Sequence, residues 1–167
     1  MAYEMTAKDL VDLSEDQQVA IMESLVLAIV ADHKTNPAET TRFDAELSAI
    51  PWKLEPPKVI EHILEIRDRV LAMKDTQEPI ALIRRIAERL PDPSVREKVF
   101  RAMGSIMSAD GTPNLDEKNM LITYARAFGL DGHQIEAIKA DLAAAEAAAA
   151  RTTQSQPAQP ARPSPSA

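Results

Sequence analysis

The sequence contains no cysteine. Disulfides, thiolate metal sites, thiol nucleophiles and iron–sulfur clusters are therefore excluded together. Histidine is also scarce, with only His33, His62 and His133 present. No two of these histidines are four residues apart, so the paired-histidine motif of a zinc hydrolase is absent.

Glycine and aromatic residues are few for a chain of this length. The 167 residues include four glycines, three phenylalanines, two tyrosines and one tryptophan. This is too little turn-forming and strand-favouring sequence for a sandwich or barrel with many turns. The sequence also contains no phosphate-cradling glycine loop and no serine in a nucleophile-elbow context. We therefore expect a protein without enzymatic activity.

The chain lacks both a long apolar run and an excess of positive charge. Its longest apolar run, residues 25–31, is far shorter than the roughly 20 residues of a membrane-spanning helix. The first 13 residues show no basic segment followed by an apolar one, as a signal peptide would. The net charge of −7 argues against nucleic acid or an anionic membrane surface as the main partner. We expect a cytoplasmic protein that neither binds nucleic acid nor inserts into a membrane.

The C-terminal segment differs in composition from the rest of the chain. Residues 151–167 are rich in proline, serine and glutamine and contain no large apolar side chain. Such a segment buries too little apolar surface to offset the entropy of ordering it, so we predict a disordered tail. The alanine run at residues 143–150 favours helix but has little to pack, and it predicts the end of the last helix.

Between the N-terminal arm, residues 1–13, and this tail, apolar residues recur at helical spacing. No segment alternates as a strand would, so residues 14–150 are predicted to form an all-α domain. Caps and prolines give the helix starts. They lie after Ser14, after Asn36, at Pro56, near Thr76, after Asp92, after Asn114 and after Asp131.

The two halves of this domain resemble each other. A shift of about 78 residues places Ala31 and Asp32 on Ala109 and Asp110. The same shift places Glu39 on Glu117. We predict one bundle of about seven helices built from two three-helix repeats related by a pseudo-twofold axis. Repeat 1 covers about 14–73, a connector helix covers about 76–90, and repeat 2 covers about 92–150.

Each repeat carries acidic residues on the loop between its first two helices. They are Asp32 and Glu39 in the first half, and Asp110, Asp116 and Glu117 in the second. Carboxylates brought together by a twofold axis repel each other, and a divalent cation relieves the repulsion. These five residues are therefore the candidate metal ligands, and Ca²⁺, Mg²⁺, Mn²⁺ and Zn²⁺ all remain possible occupants.

A purely structural role is open for the two glutamates. Glu39 and Glu117 each stand three residues after an asparagine, which is the capping-box position, and they lie at the favourable end of the helix dipole. The aspartates are different, because Asp32 and Asp110 follow the C-terminus of a helix, where the dipole disfavours negative charge. Asp32 and Asp110 therefore need a partner other than the helix that they follow.

The second of these loops resembles the signature of a known family. Residues 107–118, MSADGTPNLDEK, look like the motif of the TerB family of tellurite resistance, and residues 125–130, ARAFGL, are similar to its continuation. The resemblance extends over the chain apart from the tail. It implies a compact all-helical cytoplasmic protein without known catalytic activity. It also implies an association with chemical stress, and acidic loop residues proposed to bind metal.

Residue by residue, Asp110, Asp116 and Glu117 match the motif in the second loop, and Asp32 and Glu39 match it in the first. The first loop departs from the motif after its aspartate, where His33 and Lys34 replace the expected glycine. This departure adds a side chain and a positive charge beside the predicted site.

The leading hypothesis is therefore a non-enzymatic, TerB-like protein. It would bind a divalent cation through its acidic loops and act with a protein partner in a stress response. The alternative is a protein–protein interaction module in which the acidic residues serve only as helix caps.

Overall fold

A computed structural model describes residues 3–31, 33–34 and 36–154. Within them all regular structure is helical, and no strand occurs, which confirms the all-α prediction. The helices are α1 (Ala7–Leu10), α2 (Glu15–Val30), α3 (Pro37–Ala49), α4 (Pro56–Leu71), α5 (Gln77–Arg89), α6 (Pro93–Met107), α7 (Leu115–Phe128) and α8 (Gly132–Gln154).

The main helices start where the sequence predicted. Predicted capping groups form hydrogen bonds at α2, α3, α6, α7 and α8, whereas the residues directly before α4 and α5 form no side-chain cap. At α2, Ser14 Oγ accepts from Gln17 N at 3.2 Å, and Gln17 Oε1 accepts from Ser14 N at 2.9 Å. The same reciprocal pair forms between Asp131 and Gln134 at α8. Proline occupies the first turn of α3, α4 and α6, where its missing N–H removes no helical hydrogen bond.

The predicted number of about seven helices omitted α1, which lies in the N-terminal arm. A helix of four residues is too short to show helical periodicity in the sequence. Its N-terminus is stabilised by a capping interaction between residues that are close in the sequence. Asp9 Oδ2 accepts from Thr6 N at 2.7 Å, and Lys98 on α6 donates to the same oxygen at 2.7 Å. Burial alone would raise the pKa of Asp9, but the hydrogen bonds from Lys98 and Thr6 hold it below its usual value.

Helix α8 continues beyond the predicted boundary at residue 150. Residues 151–154 are helical, because they continue the alanine-rich helix and precede the first proline of the tail. Thr152 Oγ1 and Thr153 Oγ1 donate to the carbonyl oxygens of Ala148 and Ala149, each at 3.1 Å. The rest of the predicted disordered tail, residues 155–167, lies outside the described residues.

Helices α2 and α6 form the centre of the fold. Residues 20–28 of α2 and 99–107 of α6 are buried around the whole helix circumference, as expected for helices enclosed by others. The two helices pack on each other, α3 contacts both, α4 and α5 pack on α2, and α7 and α8 pack on α6. Trp52 packs against this core and donates from Nε1 to Leu47 O at 2.8 Å.

None of the helices in the described part of the chain is both long and apolar enough to cross a lipid bilayer.

Tyr124 on α7 is fully buried. Its ring packs edge-on against Phe128, with the ring centroids 5.2 Å apart. Its hydroxyl has no hydrogen-bond partner among the described residues. The nearby hydroxyl of Ser24 donates from Oγ to Ala20 O at 3.0 Å. Burial raises the pKa of Tyr124 well above its usual value, so the phenol stays neutral.

Replacing Tyr124 with phenylalanine should therefore leave the free energy of unfolding unchanged, or raise it by up to about 1 kcal/mol, since a buried hydroxyl without a partner is unfavourable. Tyr124→Leu, which also removes the ring, should lower it by roughly 1–3 kcal/mol. Urea denaturation measures both. A loss of more than about 1 kcal/mol in Tyr124→Phe would show that the hydroxyl forms a stabilising hydrogen bond.

Candidate site at the two acidic loops

Two loops, one between α2 and α3 and one between α6 and α7, each end in an asparagine that caps the next helix. Asn36 Oδ1 accepts from Ala38 N at 2.8 Å and from Glu39 N at 3.3 Å. Asn114 Oδ1 accepts from Glu117 N at 3.0 Å. The capping role predicted for both asparagines is confirmed, and it places a glutamate at the third position of each helix.

Both glutamates are buried, with Glu39 only 3% and Glu117 only 2% exposed. Glu117 completes a capping box, because its Oε2 accepts from Asn114 N at 2.7 Å. Glu39 Oε1 accepts instead from the side-chain amide Asn36 Nδ2 at 3.3 Å. Capping alone does not require burial, and a buried carboxylate is costly unless charges or hydrogen bonds compensate it. Each loop therefore holds an acidic group where water is largely excluded.

The two loops meet in space. Asn36 Nδ2, on the first loop, donates to Asp110 Oδ2, on the second, at 2.6 Å. The same amide group also donates to Glu39, so one asparagine links carboxylates from both loops. The sequence identified Asn36 only as a cap. Its second role depends on the position of a loop that lies 74 residues further along the chain.

The other predicted ligands differ in their surroundings. Asp110 is exposed apart from its contact with Asn36, and Asp116 is exposed in the first turn of α7. That position suits the helix dipole without any ligand. Asp32 lies outside the described residues. Within residues 3–31, 33–34 and 36–154, no group of three or more His, Asp or Glu side chains is arranged to hold a metal ion.

The histidines take separate positions. His62 Nε2 lies 2.9 Å from Glu15 Oε1, at the opposite end of α2 from the acidic loops, and His133 is exposed in the first turn of α8. His33 is exposed in the first acidic loop and has a positive φ of 58°. In the second loop Gly111, which also directly follows an aspartate, has a positive φ of 135°. The histidine thus takes a backbone conformation that glycine adopts more easily.

Together, the fold and these loops define a small all-α protein in which two capped helix starts each bury a glutamate, and in which Asn36 joins the two loops. The family model of tellurite resistance protein TerB matches residues 18–140, and the chain belongs to this family. The matched region extends from α2 into α8 and includes both acidic loops. No curated protein and no solved structure matches the chain.

Replacing His33 with glycine should raise the free energy of unfolding by about 0.5–1 kcal/mol, because it relieves a left-handed backbone conformation that costs roughly 1–2 kcal/mol for a residue with a Cβ. Lys34→Gly is the matched control, since Lys34 is the exposed neighbour and has no positive φ. Lys34→Gly should lower the free energy of unfolding. Thermal or urea unfolding measures both, and a loss of stability in His33→Gly would contradict the prediction.

Proposed function

We propose that this TerB-family protein is not an enzyme and binds a divalent cation where its two acidic loops meet. The candidate ligands are Asp32, Glu39, Asp110, Asp116 and Glu117. The single observation that carries the proposal is the hydrogen bond of 2.6 Å between Asn36 and Asp110, which joins the loops on which two carboxylates are buried. We further propose that it acts in the cytoplasm with a protein partner in a stress response. The family's description, tellurite resistance, supports the stress-response part of this proposal.

The ligand chemistry favours a hard cation. The candidate ligands are carboxylates, the side chain beside them is an asparagine amide, and the chain has no cysteine. Oxygen donors suit Ca²⁺, Mg²⁺ and Mn²⁺ better than Zn²⁺, which prefers nitrogen and sulfur. A bound cation would hold the two loops together by charge, in addition to the hydrogen bond through Asn36. Cation binding would therefore stabilise the folded chain.

We also propose that the fold arose from two three-helix repeats, which would explain why two equivalent acidic loops exist. Equal offsets support this: α2 and α6 begin at residues 15 and 93, and α3 and α7 begin at residues 37 and 115. Each central helix also carries one buried charge at the equivalent position, Glu23 on α2 and Arg101 on α6.

Cation binding can be tested by thermal unfolding of the metal-stripped full chain with Ca²⁺, Mg²⁺, Mn²⁺ or Zn²⁺. At about 100 times its dissociation constant, a cation that binds only the folded state adds about 2.7 kcal/mol. This corresponds to a rise in melting temperature of roughly 5–10 °C for a domain of this size. Asp110→Asn and Glu39→Gln should each abolish most of the rise.

Asp12→Asn is the matched control. Asp12 is exposed and precedes α2, whose 16 residues separate it from the acidic loops by about 24 Å. The control should keep the full rise. If no cation raises the melting temperature of the unsubstituted chain, the acidic residues are helix caps and the metal proposal is wrong.

A second candidate function, a protein interaction module, is favoured by the surface of α4. Ile60, Leu64 and Leu71 are exposed, and their spacing places them along one side of the helix. Leu64 and Leu71 border a groove of about 350 Å³ whose floor includes Phe43 and Ile63.

The side chains around this α4 groove suggest what would occupy it. Lys34 and Arg67 line the groove, with Asp44 as the single acidic residue of the lining, and Arg67 also pairs with Asp68 at 2.8 Å. An apolar floor with more positive than negative charge around it suits an amphipathic helix of a partner protein whose polar edge is acidic.

Synthetic amphipathic helical peptides with acidic or basic edges test this second function by methyl NMR titration. The acidic peptide should bind more tightly, and Leu64→Gln or Leu71→Gln should weaken its binding without changing the melting temperature, because both side chains are exposed. Ile122→Gln, an exposed apolar residue on α7, is the control. Equal weakening by the control, or preference for the basic peptide, would exclude the groove as the binding surface.

A further inference from the structure

A buried glutamate far from the acidic loops organises a group of arginines. Glu23, in the middle of α2, is only 3% exposed. Its Oε1 accepts from Arg69 Nη2 on α4 at 2.5 Å, and its Oε2 accepts from Arg89 Nη2 on α5. Arg89 also donates to Asp16 Oδ1 at 3.1 Å. A buried carboxylate requires such partners. Because Glu23 binds both arginines, their guanidinium groups lie next to each other although they come from different helices.

These arginines border an open cavity of about 390 Å³. We call it the arginine pocket, and it is lined by Glu23, Arg69, Leu82, Arg85, Glu88 and Arg89. The lining has three arginines and two glutamates, while Asp16, outside the lining, also pairs with Arg89. The attraction for an anion therefore comes from guanidinium donors that line the cavity and not from a large net charge.

The guanidinium groups retain donors for a ligand. Arg85 lies one turn before Arg89 on α5, is exposed, and forms no hydrogen bond or ion pair through its side chain among the described residues. Arg69 is 56% exposed along its side chain and uses one N–H for Glu23, whereas a guanidinium has five. Both oxygens of Glu23 are engaged by arginines, which reduces the competition that this carboxylate offers to an incoming anion.

The chemistry of these groups identifies the ligand class. A guanidinium is a planar fork that matches two oxygens of a phosphate or similar group, with short charge-assisted hydrogen bonds. Two such forks on different helices can contact different oxygens of one tetrahedral anion. Glu88 is the one acidic pocket residue without an arginine partner in the described structure, and it would repel the anion.

We propose that the arginine pocket binds a phosphate-class oxyanion. Arg69 and Arg85 contact the anion, and the ion pair between Glu23 and Arg89 fixes the wall of the pocket. This site is separate from the acidic loops, and the proposal does not depend on cation binding there.

Titration of the full chain with inorganic phosphate, followed by NMR of the arginine side-chain N–H groups, tests the proposal. Phosphate should shift the Arg69 and Arg85 signals, and Arg85→Gln should weaken binding by about tenfold or more, as expected for the loss of a charge-assisted contact. Glu88→Gln should strengthen binding. Neither change should alter the melting temperature, because both side chains are exposed.

Arg84→Gln is the matched control, because Arg84 is the adjacent exposed arginine on α5 and does not line the pocket. It should bind phosphate like the unsubstituted chain. Phosphoserine is titrated in parallel to distinguish two sources of the anion. If the natural ligand is a phosphoryl group on an organic molecule, phosphoserine should bind more tightly than free phosphate. Equal weakening in Arg84→Gln and Arg85→Gln would mean diffuse attraction without a site, and the absence of shifts at millimolar phosphate would likewise overturn the proposal.

Discussion

The structure depends on the burial of two central helices, α2 and α6, which the other helices surround. Each of these helices carries one buried charged side chain that outer helices must neutralise. Glu23 on α2 pairs with Arg69 from α4 and Arg89 from α5. Arg101 on α6 pairs with Glu46 from α3 at 3.2 Å and with Asp141 from α8 at 3.1 Å. Apolar burial thus drives the packing, and the two buried charges help to determine which outer helix lies where.

The same central pair determines the position of the acidic loops. Each loop follows one of the two central helices, and α3 contacts both of them. The loops can therefore approach closely enough for Asn36 to reach Asp110. Capping explains the backbone contacts of the glutamates, but the burial of Glu39 and Glu117 results from this packing. The proposed cation site uses these two glutamates, and the arginine pocket is lined by other residues.

Much of the fold could be predicted from the sequence, because its signals are local. Ser14, Asn36, Asp92 and Asn114 each accept a backbone hydrogen bond within the next three residues, so the helix starts were predicted correctly. Helix α1 was missed because four residues carry no periodicity. The end of α8 was placed too early, since the prediction stopped the helix with the alanine run and the two threonines beyond it continue the helix.

The candidate site was predictable only in part. Its residue types and their spacing showed that acidic loops exist and that Asn36 and Asn114 are caps. That Asn36 also bridges to Asp110 was not visible, because this contact spans 74 residues. The arginine pocket gave no signal at all, since Arg69 and Arg89 lie 46 and 66 residues from Glu23. The sequence by itself determined the helical class, the helix starts and the family motif, because caps and periodicity act over a few residues. Only the tertiary structure decided which charges are buried and which loops meet, because both depend on how distant helices pack.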